Sequence, residues 1–136
     1  WMLRHPLRVI RAVLLLDGHH LVHTPAIVRE ACFREDIPAE RLARYAALLG
    51  SESLRVGLET GLLHFPRPED NRSPLKVIAA EHDKIFTLQE QQALANAYHT
   101  DLFVIPGAAH DVMLEPAWKH AADYIEQTIA DWTGDL

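Results

Sequence analysis

The sequence predicts an α/β fold, a parallel sheet segment flanked by helices. Three observations carry that expectation. Short continuous apolar runs occur at residues 11–17, 75–80 and 101–106. They lack the polar alternation of half-exposed strands, which is the pattern of strands buried on both faces. Helical segments separate them, and strands alternating with helices wind into a parallel sheet with right-handed crossovers.

Each element has a local justification. Residues 1–9 read as the tail of a helix ending at His5-Pro6, because the residue before a proline avoids helical geometry. Residues 11–17 follow as the first strand, central and parallel, broken by Gly18. Residues 19–65 read as helical in three pieces. In the first, Thr24-Pro25 supplies an N-cap and a proline at the opening helical position, and Ile27, Val28, Ala31 and Cys32 share a face. The second starts near residues 36–38 and ends at Gly50, with Leu42, Tyr45, Ala46 and Leu49 on one apolar stripe. The third starts near Ser51 or Ser53 and aligns Leu54, Leu58, Leu62 and Phe65, although Gly57 and Gly61 each cost about 1 kcal/mol against alanine.

Residues 66–74 form a loop by composition. The second strand, 75–80, leads to Thr87-x-x-Glu90, a capping box in which hydroxyl and carboxylate each satisfy a backbone donor. The helix it opens turns Leu94 and Ala97 inward and stops near His99. The third strand, 101–106, ends in Pro106-Gly107. Pro116 opens a last helix with Trp118, Ala122, Ile125, Ile129 and Trp132 along one side, a row expected to pack.

Composition sets the outer bounds. A chain of 136 residues, 49% hydrophobic and 24% charged, matches one ordinary globular domain. A net charge of −6 argues against a nucleic-acid partner, which needs a basic face. The single cysteine, Cys32, lies on an apolar helix face and fits a reducing compartment, so a cytoplasmic location is expected. No apolar run approaches the ~18 residues of a membrane span, and no cationic leader opens the chain. Trp1-Met2-Leu3 is not how a reading frame begins, so residues upstream are expected.

The chemistry gathers at two strand ends. Asp83 follows the second strand and His110 follows the Pro-Gly turn of the third. Successive parallel strands are usually neighbours about 4.8 Å apart, so side chains from the two loops can meet. An Asp on one imidazole nitrogen sets the tautomer and leaves the other nitrogen as a base. The same residues fit a plainer arrangement, with Asp83 capping the next turn and His110 a satisfied core histidine. Residue types alone leave both open.

A longer match bears on the choice. Residues 73–83 (Ser-Pro-Leu-Lys-Val-Ile-Ala-Ala-Glu-His-Asp), 105–111 (Ile-Pro-Gly-Ala-Ala-His-Asp) and Glu115-Pro116-Ala117-Trp118 resemble the C-terminal half of an α/β-hydrolase-fold serine hydrolase. The opening, residues 3–9 and 12–17, is similar to the helix after that family's nucleophile elbow and to its next strand. The resemblance implies a partial α/β-hydrolase fold, with core segments 1–18 and 73–136 and a helical cap, 19–72, inserted over the site. It implies Asp83 as triad acid and His110 as base, no cofactor, and a small ester or similar substrate, for which the Leu, Tyr and Phe faces of the cap helices suggest a mildly apolar group. The family's nucleophile sits on a G-x-S-x-G turn. No such motif occurs here, and Gly50-Ser51-Glu52-Ser53 lacks the second glycine. Ser51 and Ser53 are therefore expected as helix caps, and the serine upstream of residue 1.

Other candidates are weighed beside that pair. His19, His20 and His23 form H-H-x-x-H, but Gly18 and Thr24-Pro25 argue for a loop rather than a zinc-binding helix, so no metal is expected. In a family member this loop lies over the site, which makes His19 and His20 candidates for substrate contact. Asp17 is an alternative acid, and Asp111 and Glu115 are expected to orient the His110 loop or cap the last helix. The alternative function is a truncated, inactive copy that acts as an association module. It would form a homodimer, or accept an N-terminal segment, along the unpaired strand at 11–17.

Overall fold

A computed structural model describes residues 5–15, 24–50, 59 and 66–134. The chain divides into two compact units, Trp1–Ala31 with Glu35–Pro74, and Cys32–Arg34 with Leu75–Leu136. The architecture is mixed α/β, with a two-stranded parallel sheet in the second unit.

Helix α1 spans Pro6–Leu15, α2 Pro25–Cys32 and α3 Ala39–Leu48. The first of these corrects the expected strand at 11–17. Residues 11–15 are helical, while Leu16 and Asp17 lie outside the described residues. Pro6 does not end a helix but opens one, with His5 C=O accepting from the Arg8 and Val9 amides. Its locked φ suits the first helical position, where the missing N–H would have had no partner. A five-residue apolar run carries no periodicity of its own. Leu, Ala and Arg dominate residues 7–15, and all three favour helix. Leu7, Ile10 and Leu14, spaced by three and four, line an exposed side of α1, with Leu7 80% accessible. The edge-strand association expected along 11–17 loses its strand.

The next two helices follow their local signals. Thr24 C=O accepts from the Ile27 and Val28 amides at 3.0 Å, and Ile27, Val28, Ala31 and Cys32 are all buried. In α3, Leu42 is buried and Tyr45 and Ala46 half-buried, but Leu49 falls past the last turn and is exposed. The expected third helix lies outside the described residues, apart from Glu59.

In the second unit, β1 (Val77–Ala80) pairs with β2 (Leu102–Ile105) in parallel, with Val77 opposite Leu102 and Ala80 opposite Ile105. Helix α4, Leu88–Ala97, forms the crossover, and it buries Ala95, while Leu94 and Ala97, expected inward, are exposed. The Thr87 hydroxyl accepts from the Glu90 amide at 3.2 Å, and Glu90 Oε2 accepts from the Thr87 amide at 2.7 Å, completing the capping box. The other end closes with the Thr100 amide on Ala95 C=O and the His99 amide on Asn96 C=O, a Schellman motif with His99 at φ 53°.

The core of this unit is Ala80, Ile105 and Ala108, with Ile78, Phe103, Val112, Ala117 and Ala121 against it. Ile105 is 0% exposed, and burying such a side chain contributes about 1.5–3 kcal/mol. Helix α5, Trp118–Gly134, packs Ala121 against this core and stacks the Tyr124 ring on Phe103 at 3.8 Å, and Thr128, one turn on, is buried. The expected packing row is thus one residue out of phase. Trp118, Ile125, Ile129 and Trp132 are exposed, Trp118 by 53%. Two adjacent apolar rows satisfy a 3.6-residue period equally well. The ring of Phe103 and the small Ala121 decide which one meets the sheet.

Candidate functional site

Every residue of the candidate site belongs to the second unit. The two strands end at Ala80 and Ile105, and the chains beyond them remain tied together. The Glu81 amide donates to Ile105 C=O at 3.2 Å, and the His82 amide to Ala108 C=O at 2.8 Å. These bonds carry the strand pairing into the loops and bring Asp83 to His110.

Asp83 uses both carboxylate oxygens. Oδ1 accepts from the Ile85 amide at 2.8 Å and the Phe86 amide at 3.0 Å, a side-chain turn that immobilises the group. Oδ2 lies 2.9 Å from His110 Nδ1. Asp83 therefore fills both roles that the sequence left as alternatives, turn cap and histidine partner. Its side chain is 6% exposed and that of His110 29%, so the acid is shielded while the imidazole keeps an open side. With Nδ1 donating to Asp83, the tautomer leaves the Nε2 lone pair available to accept a proton.

His110 arrives on a turn held from several directions. Gly107 has φ 67°, the left-handed region that suits a residue without Cβ. Its amide donates to Glu81 Oε2 at 2.7 Å, and its carbonyl accepts from Arg34 Nη1 at 3.1 Å. The Asp111 amide donates to Cys32 C=O at 3.1 Å. The Arg34 amide donates to Glu115 Oε1 at 3.1 Å, and Glu115 is buried. Glu115 thus holds the Arg34 main chain, a contact that the expected roles of orienting the His110 loop or capping the last helix did not include. Phe86 presents an exposed ring 5.8 Å from the His110 ring, tilted by 47°.

The local electrostatics follow from burial and charge. Burial pushes the Cys32 thiol up to about 12, with Asp111 and Asp83 adding to the shift. It is a protonated core thiol rather than a nucleophile. Burial also raises the Asp111 carboxyl above its ordinary value, His110 opposes that and Asp83 reinforces it.

Asp17, His19, His20, His23, Ser51 and Ser53 lie outside the described residues. Among the described residues no group of three His, Cys, Asp or Glu side chains gathers to hold a metal ion. Among them also, no helix is long and apolar enough to cross a membrane. Two participants escaped the sequence. Glu81 had one usable signal, its place directly after a strand, within reach of the neighbouring turn. Arg34 had none, since 73 positions separate it from Gly107. No protein-family model matches the sequence, and comparison with curated proteins and with solved structures finds no match.

Proposed function

We propose that this chain is part of a serine hydrolase of the α/β-hydrolase fold, acting on a small, mildly apolar ester or related substrate. The observation that carries the reading is the 2.9 Å contact of Asp83 Oδ2 with His110 Nδ1 beyond the ends of two adjacent parallel strands. In that reading His110 Nε2 takes the proton of a serine hydroxyl as its oxygen attacks the substrate carbonyl carbon. Asp83 stabilises the imidazolium that results, and His110 then returns the proton to the leaving group. The exposed ring of Phe86 beside His110 supports an apolar acyl or alkyl group. The serine is not on a G-x-S-x-G turn of these residues, so the reading requires a nucleophile supplied from outside them.

The test has two arms. The 136-residue chain should take no label from a fluorophosphonate probe. A longer chain translated from the upstream coding sequence should hydrolyse p-nitrophenyl esters. There His110→Ala should lower kcat by about 10⁴–10⁶ and Asp83→Asn by roughly 10⁴. Stoichiometric labelling of Ser51 or Ser53, or esterase turnover indifferent to His110→Ala, would overturn the reading.

A second reading, a non-enzymatic association module, is favoured by the outward apolar row of Trp118, Ile125, Ile129 and Trp132 on α5. Light scattering at micromolar concentration decides it, and a stable monomer counts against it.

A further inference from the structure

We infer that Glu81 and Arg34 are positioning residues for His110, acting together as a clamp on the peptide groups of Gly107. The inference rests on the reading of His110 as the base. Glycine populates positive and negative φ almost equally, so Gly107 is the point at which the turn could swing. A rotation there would carry His110, three residues on, away from Asp83. Both polar groups of Gly107 are gripped by ionised side chains of opposite sign. The amide gives its hydrogen to the Glu81 carboxylate at 2.7 Å and the carbonyl takes one from the Arg34 guanidinium at 3.1 Å. Charge-assisted bonds of this kind are about twice as strong as neutral ones.

The grip extends along the segment. Ala108 is buried with its carbonyl on the His82 amide, and the Asp111 amide is held by Cys32 C=O. The Arg34 main chain is fixed in turn by Glu115 Oε1. His110 therefore lies between anchored residues on either side, and the free variable that remains is the Gly107 peptide.

The test is spectroscopic and uses the 136-residue chain labelled with ¹⁵N-histidine. The His110 Nδ1 proton should give a downfield resonance that disappears in His110→Gln and in Asp83→Ala. Glu81→Asp, which shortens the reach of the carboxylate, and Arg34→Met, which removes the donor but keeps the stem, should each speed exchange of that proton roughly tenfold or more. Glu81→Gln, which keeps a neutral acceptor at the original reach, should speed exchange less than Glu81→Asp does. The Phe103–Tyr124 ring-shifted signals report that the core stays intact. Wild-type exchange rates in both Glu81→Asp and Arg34→Met would overturn the clamp alone. Absence of the resonance from the wild-type chain would overturn the Asp83–His110 pairing, and the clamp with it.

Discussion

Replacing Gly107 by alanine is the sharpest single perturbation of the His110 turn. At φ 67° an L-residue suffers contact between Cβ and its own backbone, which costs about 1–2 kcal/mol. Alanine also stiffens the unfolded chain, which offsets about 0.4–1 kcal/mol of that strain. The new Cβ would lie 3.3 Å from Arg34 Nη1, so the guanidinium must retreat by a few tenths of an ångström. That retreat is easy for the end of a long side chain, but it lengthens the bond to Gly107 C=O, and bonds to charged groups are worth about 1.5–3 kcal/mol. A partial loss there returns the total to about 1–2 kcal/mol. Urea unfolding measures it directly. With an m of about 1.5 kcal/mol/M the midpoint should fall by roughly 1 M at unchanged m. Gly107→Asn separates the two causes, since asparagine carries the same Cβ but tolerates left-handed geometry better than alanine. It should destabilise less. An unchanged midpoint for alanine, or asparagine as damaging as alanine, would refute backbone strain as the reason for glycine here.

Three further outcomes are expected. His99 occupies the left-handed position that closes α4, so His99→Gly should stabilise by about 0.5–1 kcal/mol, read as a Tm higher by a few degrees; a lower Tm would show that the imidazole contributes more than the strain costs. Because Asp111 has a raised folded value, the native state holds its proton more tightly than the unfolded chain, and stability falls as pH rises from the ordinary Asp range through the raised one. Asp111→Asn should therefore raise the urea midpoint at pH 7 and lose that gain below the ordinary Asp range; a gain independent of pH would contradict the burial argument. Cys32, the one cysteine and pushed up to about 12, should resist Ellman's reagent at pH 8 in the native chain and react fully in urea, whereas rapid native labelling would place it at an open surface.

Signals that act over a few residues were legible in the sequence. Thr87 and Glu90 are three positions apart, and their mutual capping needs nothing beyond the first turn of a helix. The runs that became β1 and β2 are bounded by turn residues and carry β-branched side chains that fit a sheet, although β2 is half-buried at three of its four residues rather than buried on both faces. Asp83 and His110 were legible at one remove, because neighbouring parallel strands deliver their following loops to the same edge. The apolar run at residues 11–15 misled, since five apolar residues in a row fit a buried strand and a helix alike. The proline before it and the helix-favouring residues around it outweighed the missing polar alternation.

What the sequence determined by itself was the kind of each strongly marked element and the pair of side chains that could meet at the sheet edge. The first follows from local sterics and capping, which act over a few residues, and the second from the pairing of successive parallel strands, which delivers the loops after them to one edge. Tertiary structure alone decided which row of α5 faces the sheet, with Tyr124 on Phe103 rather than the tryptophans inward. It alone decided also that Arg34 and Glu81 grip one glycine from opposite sides. Packing phase and long-range hydrogen bonds depend on which surfaces the folded chain brings together, and no spacing within a segment encodes that.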